Sequence, residues 1–411
     1  MKKNVTVNEK KIIIFTGTAH YLTHFYELVF PALAFPLMRS LGMDLAEVLK
    51  MGFLMYLFYG IAALPAGIAA DRFGNRISMI IFFLGTGTGA IITSFSQSPS
   101  SLTASLALIG LFASIYHPAG MGMISIGVKD RGIALGINGA AGNLGLLSAP
   151  FVAGVMNWLV GWHITYLLIG IFSLLWGLLL FFVHIDESAI SSHGQVPDRS
   201  SGTHNHLQYF IILCLIMTLA GLAYRANSVI LPAYLELNAG FLWEQFQKMS
   251  IANTAGAKTM AATLLASAIY MIGIFGQLIG GKLADKKDLK WLYLLFHGLS
   301  LPFVILMGFL SDTLLVIAAG LYIFFSLGMQ PIENSLVAAF TPGRWRSTSY
   351  GIKFILTFGI GSIAVYIAGW IKDAWDLSAV YYFISAVIAS LVILILWLIR
   401  YSRGASIRNI Q

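Results

Sequence analysis

Three side chains on one short stretch carry the first chemistry visible in this sequence. His20 and His24 are spaced i, i+4 and Glu27 follows three residues later, so on a helix all three face one way. Two imidazoles and a carboxylate can take up and release a proton, and they can hydrogen-bond a solute. They could also ligate a metal, but no further ligand cluster accompanies them in the sequence. A protonatable wall with Glu27 and His20 as proton-coupling residues is therefore the expectation, and no metal site is expected.

Other polar groups fall inside apolar runs. Arg225, Glu333 and Lys353 join Glu27 there. A charge at the bilayer centre costs about 2.5–3.5 kcal/mol on insertion scales, so these groups must face protein or water. Arg225 offers a planar, permanently charged fork suited to a carboxylate or a phosphonate. A Glu27–Arg225 latch that holds one conformation is its rival use. Glu333 and Lys353, near the ends of their runs, read as an inner gate or as a static ion pair. His117-Pro118, within S-I-Y-H-P-A-G-M-G from Ser114 to Gly122, reads as a hinge with a polar side chain. Asn138 and Asn143 share a run with Gly139, Gly142 and Gly145, which suits close helix contact. The expected solute-binding set is Arg225, His24, Tyr21, His117, Asn138 and Tyr224.

These residues need membrane helices to hold them. The chain has 411 residues, 58% of them hydrophobic and only 10% charged, where an ordinary soluble domain has about 25% charged. Its mean hydropathy is positive. Runs long enough to cross ~30 Å of hydrocarbon fall near 12–38, 45–69, 76–96, 102–126, 132–157 and 162–184, then near 207–235, 260–283, 289–310, 313–340, 347–371 and 378–400. The expectation is an all-α polytopic membrane protein of twelve transmembrane helices, with residues 1–185 and 207–411 as two six-helix bundles. Segment 186–206, with Ser191, Ser192, Pro197, Ser200 and Ser201, reads as a cytoplasmic linker. Its His193, His204 and His206 are expected to be solvated.

Charge orients the chain. With both termini inside, the outer segments hold only Arg39, Lys50, Lys248, Lys258 and Lys372 of the 25 Lys and Arg. The positive-inside rule thus places both ends in the cytoplasm. The net charge of +8 belongs to loops at an anionic lipid surface and implies no nucleic-acid partner. The first run lacks a small-residue cleavage site and is expected to stay. Cys214 is the one cysteine, which excludes an internal disulfide and suits packing. There is no phosphate-binding loop, and no nucleophile–base constellation suggests an enzyme or a cofactor.

A pattern is written twice. Gly67 to Arg76 reads G-I-A-A-D-R-F-G-N-R and Gly281 to Lys287 reads G-K-L-A-D-K-K. Each follows an apolar run, with a glycine for close approach, Asp71 or Asp285 to cap the next helix, and basic residues such as Arg72 and Arg76 to hold the turn inside. Pro31-Ala32 and Pro232-Ala233, and His117-Pro118 and Gln330-Pro331, extend the repeat. The loop resembles the signature between the second and third helices of the major facilitator superfamily, with its weaker copy between the eighth and ninth. That resemblance implies two six-helix halves with solute bound between them, and it makes Asp71, Arg72, Arg76 and Asp285 gating residues beside Glu333 and Lys353. The His-Pro of the fourth run, the pattern around His24 and Pro31, and R-G-I-A-L-G-I-N-G-A-A-G-N-L-G from Arg131 to Gly145 resemble the fosmidomycin-resistance-like branch. The chain departs from that branch in carrying Glu27 within H-F-Y-E-L, where an aspartate nearby is its pattern. It departs from the superfamily's antiporter motif in having Ala149, not glycine, before Pro150.

The resemblance implies a secondary active transporter in a bacterial-type inner membrane, moving a small organic anion by proton-coupled alternating access, outward as an efflux system, and acting as a monomer. An uptake symporter or uniporter of a carboxylate is the alternative within transport. A receptor that binds without transporting is the alternative outside it.

Overall fold

Hydrocarbon offers no partner for a backbone N–H or C=O, so a chain this apolar must satisfy them within helices. The computed structural model describes residues 5–186, 205–248, 255–341 and 346–402, which form helices joined by short turns, with no strand among them. They belong to two compact units, Met1–Gln195 and Val196–Gln411. His193 and His204 lie outside the described residues, as does the side chain of His206.

In the first unit the run expected at 12–38 is α1 (Val7–Ala32) and α2 (Ala34–Leu41), and that at 45–69 is α3 (Leu45–Met51), α4 (Phe53–Ile61) and α5 (Ala63–Phe73). Then come α6 (Asn75–Ser94), α7 (Pro99–Ala113) and α8 (Tyr116–Gly127). The two runs at 132–157 and 162–184 join as α9 (Arg131–Phe182), broken at Gly161, whose φ of 83° is open only to glycine without strain. The second unit holds α10 (Asn205–Asn238), the short α11 (Phe241–Lys248), α12 (Ala255–Ala284), α13 (Leu289–Met307), α14 (Asp312–Gly328) and α15 (Gln330–Phe340). The run at 347–371 is α16 (Arg346–Phe354), a π turn at Ile355–Gly359, a 3₁₀ turn at Ile360–Ser362, and α17 (Ile363–Ala374), and α18 (Leu377–Tyr401) ends the unit.

Nine helical stretches among the described residues are long and apolar enough to cross a membrane, or ten if Leu45–Ile61 and Ala63–Phe73, bent by 44°, form one span. One of them, Gly132–Phe182, has 51 residues, about twice what a bilayer requires. With the bent pair taken as one span, this helix counted as two and the polar-faced α1 added, the spans come to the twelve expected.

Small residues decide how closely these helices pack. A Cβ at Gly145 of α9 would run into the Tyr21 carbonyl of α1, and one at Gly142 would lie 2.6 Å from the His20 ring. The repeated loop glycines share a partner type: a Cβ on Gly67 would stand 3.3 Å from Pro118, and one on Gly281 would stand 3.9 Å from Pro331. Each glycine therefore seats the proline of its own unit's His-Pro or Gln-Pro pair.

The expected caps need correction. The N-cap of α6 is Gly74 (φ 93°), with no side-chain cap, and Asp71 is an exposed residue in the last turn of α5. Asp71 is too early in the chain to reach the α6 start as its cap. In the second copy the cap of α13 is Asp288, whose Oδ1 accepts from the N–H groups of Lys290 (2.9 Å) and Trp291 (3.2 Å), while Asp285 is exposed. Asp288 sits immediately before the helix, where an N-cap must sit.

The start of α1 is fixed by a capping box. The Thr6 hydroxyl accepts from the Glu9 N–H at 3.1 Å and the Thr6 N–H donates to Glu9 Oε2 at 2.8 Å. Glu9 Oε1 also accepts from the Lys129 N–H, 2.9 Å, which ties α1 to the turn before α9. Lys129 first, and then Thr6, hold the Glu9 carboxyl below its ordinary range. A lowered folded-state value stabilises the fold above the ordinary carboxylate range, and that stability is lost as pH falls through the lowered value. Glu9→Gln should therefore lower the thermal midpoint of the detergent-solubilised chain at neutral pH. The gap from the parent should close when unfolding is followed in acid; a gap independent of pH would refute this anchorage.

Candidate functional site

The structure draws α1, α4, α8 and α9 together around the polar face of α1. His20 Nδ1 lies 2.8 Å from the Asn138 carbonyl, His20 Nε2 lies 3.1 Å from His24 Nε2, and His24 Nδ1 lies 2.9 Å from Glu27 Oε2. A carbonyl only accepts, so His20 Nδ1 carries a proton. His117 enters from α8, its ring centroid 5.6 Å from that of His20 and 5.7 Å from that of His24. Its Nε2 is 3.0 Å from the Tyr59 hydroxyl of α4. Tyr116, the residue before it, stacks on His20 at 4.8 Å and donates its hydroxyl proton to Asn138 Oδ1 at 2.6 Å. Asn138 thus holds His20 through its backbone and Tyr116 through its side chain.

Burial grades this cluster. Glu27 and Asn138 are buried, while His20, His24 and His117 are partly open. A crevice of about 10 Å³, roughly the room of one water, borders Glu27 and is lined also by Thr23, Tyr26, Tyr56 and Tyr59. The Tyr56 hydroxyl donates to the Glu27 backbone carbonyl at 2.9 Å. His20, His24 and His117 offer ring nitrogens that all lie within 4.8 Å of one another, the one group among the described residues spaced to hold a metal.

The second unit has two polar features. Arg225 of α10 is fully buried, its guanidinium carbon 5.6 Å from the Tyr224 ring centroid and 5.9 Å from that of Phe358. Phe358 belongs to the π turn, where α10 also comes close through Gly221: a Cβ there would meet the Thr357 carbonyl at 2.5 Å. Nearer the end of the unit, Glu333 is buried between Lys353 Nζ, 2.7 Å from Oε1, and the Tyr293 hydroxyl, which donates to Oε2 at 2.5 Å. Lys353 also donates to Asn334 Oδ1 at 2.6 Å. The pair therefore braces α13, α15 and α16 of a single unit.

The expected residues divide accordingly. His20, His24, Glu27, His117 and Asn138 meet in one place, and Tyr21 turns aside to accept a hydrogen bond from Ser148 at 2.9 Å. Arg225 and Tyr224 meet in the other unit. Arg72 lies exposed with its guanidinium 5.5 Å from Phe73, and Arg76 caps α9, donating to the carbonyls of Val183 (3.0 Å), Leu180 (3.0 Å) and Phe181 (2.7 Å). Sequence reasoning missed Tyr59, Tyr116, Tyr293 and Phe358. Adjacency to His117 was a signal for Tyr116, whereas aromatic runs hide the others.

Helical spans that hold a buried ion pair, a histidine cluster and a charged fork define a multi-pass membrane protein. Residues 14–352 match the family model of the Major Facilitator Superfamily, and the chain belongs to that family. It is similar to the probable L-galactonate transporter of Escherichia coli strain K12, 26% identical over 32% of this chain and 30% of the relative. It is also similar to the probable sulfoacetate transporter of Cupriavidus necator, 25% identical over 81% of this chain and 82% of the relative. The chain thus spans under a third of the first relative's length and most of the second's. Among solved structures, a bacterial homologue of the human lysosomal transporter Spinster, inward-facing and unoccupied, superimposes with a TM-score of 0.74 at 14% identity, over 97% of each chain.

Removing one member of a buried ion pair strands the other, at a cost of about 3–5 kcal/mol, whereas replacing both by apolar residues is often neutral. Glu333→Leu should sharply lower the thermal midpoint, and adding Lys353→Met should restore most of the loss. Equal midpoints for the single and double variants would show that the pair carries no such coupling.

Proposed function

We propose that the chain moves a small organic anion, a carboxylate or a phosphonate, by proton-coupled alternating access across a bacterial inner membrane, with both termini in the cytoplasm and each monomer sufficient. The observation that carries the anion is Arg225, a permanently charged fork fully buried in a span against Tyr224 and Phe358. Guanidinium is the side chain that pairs two parallel N–H groups with a carboxylate or phosphonate. The named relatives handle galactonate and sulfoacetate, both anions, which supports the same class here. On this reading His24, His117 and Asn138 of the first unit hydrogen-bond the solute.

Proton coupling and outward direction rest on the resemblance of the His117-Pro118 and Arg131–Gly145 stretches to the fosmidomycin-resistance-like branch. The π and 3₁₀ turns at Ile355–Ser362, which include Phe358, are the kind of irregular helical segment that membrane carriers place at a solute site.

The test is proton movement into proteoliposomes of the purified chain on addition of anionic, neutral and cationic solutes. Anions alone should trigger flux. Arg225→Gln should cut it about tenfold to a hundredfold, the loss of a charged hydrogen bond, without changing the thermal midpoint enough to unfold the chain. Flux triggered equally by neutral solutes, or unchanged in Arg225→Gln, would overturn the anion assignment.

A further inference from the structure

The arrangement of nitrogens in the first unit goes beyond solute binding. We propose that His20, His24 and His117 form a binding site for a divalent first-row transition ion, zinc or one of its neighbours. The Asn138 carbonyl and the Glu27 carboxylate orient the ligands from behind.

Four observations converge on it. First, His20 Nε2 and His24 Nε2 face each other at 3.1 Å. Two ligands bound at about 2.0–2.1 Å with tetrahedral angles stand about 3.3 Å apart, so the pair is already set at the spacing of a shared ion. Second, the opposite ring nitrogens are engaged as metal-binding histidines engage theirs. His20 Nδ1 donates to the Asn138 carbonyl at 2.8 Å, and His24 Nδ1 lies 2.9 Å from Glu27 Oε2. Such outer partners favour the tautomer with the proton on the outer nitrogen, and a bound ion would replace the proton that one of the two facing Nε2 atoms holds in this contact. Third, His117 brings a third imidazole from another helix, and all three ligand atoms lie within 4.8 Å of one another. Its ring meets those of His20 and His24 edge-on, at interplanar angles of 80° and 66°, so it approaches the pair from the side. Its Nε2 lies 3.0 Å from the Tyr59 hydroxyl, a contact that orients the ring. Fourth, the three histidines are partly open while Glu27 is buried, which leaves room for a fourth ligand such as water.

The donor chemistry selects the ion. Imidazole suits zinc, copper, nickel and iron, whereas magnesium and calcium prefer oxygen. Three neutral imidazoles with one carboxylate behind them also lower the cost of a dication at membrane depth, since Glu27 offsets half of its charge. Bound there, the ion would fasten α1 to α8, and the proposal does not depend on which solute the chain moves.

The test is a cobalt(II) titration of the full-length chain in detergent after chelator treatment, in a background where His193, His204 and His206 are alanine. The parent should show the visible absorption of four-coordinate cobalt, saturating near one ion per chain and reversed by zinc. His24→Gln and His117→Gln should each weaken binding at least about tenfold, and Glu27→Gln about 10–100-fold, as outer-shell losses do. His24→Cys, which keeps a ligand, should retain binding and add a thiolate-to-cobalt band that a misfolded protein would not yield. A parent spectrum of six-coordinate aqueous cobalt, an affinity untouched by the glutamine substitutions, or a His24→Cys variant without the new band would each overturn the site.

Discussion

Hydrocarbon leaves every polar atom to find its partner within the chain, and most of the polar detail here answers that demand. Threonines return their hydroxyls to the preceding turn, as Thr16 does to Ile12 at 2.7 Å and Thr86 to Phe82 at 2.7 Å. The carbonyls that end α9 have no later turn to bond them, and three N–H contacts from Arg76 serve instead. An arginine at a family signature loop thereby acquires a concrete mechanical task. The same demand explains why Glu333 is ringed by Tyr293 and Lys353, since a bare carboxylate at that depth would be far too costly.

Where the two units repeat each other, they keep packing and change chemistry. Gly67 against Pro118 and Gly281 against Pro331 conserve one steric arrangement in both halves of the chain. The residue ahead of each proline differs. In the first unit it is His117, facing the Tyr59 hydroxyl, and in the second it is Gln330, whose Oε1 accepts from Gln277 at 2.7 Å. An uncharged amide pair thus stands in one unit where the other has an imidazole facing a phenol hydroxyl.

Much of this was legible in the residues. Apolar runs located the spans because a membrane helix has to be apolar along its whole length, and the doubled glycine–aspartate loop marked the repeat. Helix breaks were hidden: Pro31 and Pro36 stand in the sequence without showing that the helix divides between them at Leu33, and nothing in the residues marks the π turn at Ile355–Gly359. The caps were misassigned because Asp285 and Asp288 stand three residues apart, and only the helix start tells which one is placed to accept. The convergence of His117 on His20 and His24 was also out of reach. It depends on how α8 crosses α1, and residues more than ninety positions apart leave no periodic trace of such a crossing. The i, i+4, i+7 face of α1, by contrast, followed from helical geometry alone.

The end of the first unit is riveted to its beginning. Asn8 Nδ2 donates to the Asp186 carbonyl at 2.9 Å, Asn8 Oδ1 accepts from the Asp186 N–H at 3.0 Å, and Lys11 Nζ donates to the His184 carbonyl at 3.1 Å. The chain therefore leaves this unit from a point fastened to the opening turns of α1. Those turns belong to the same helix that carries His20, His24 and Glu27, so the exit from the unit and its polar cluster share one rigid rod.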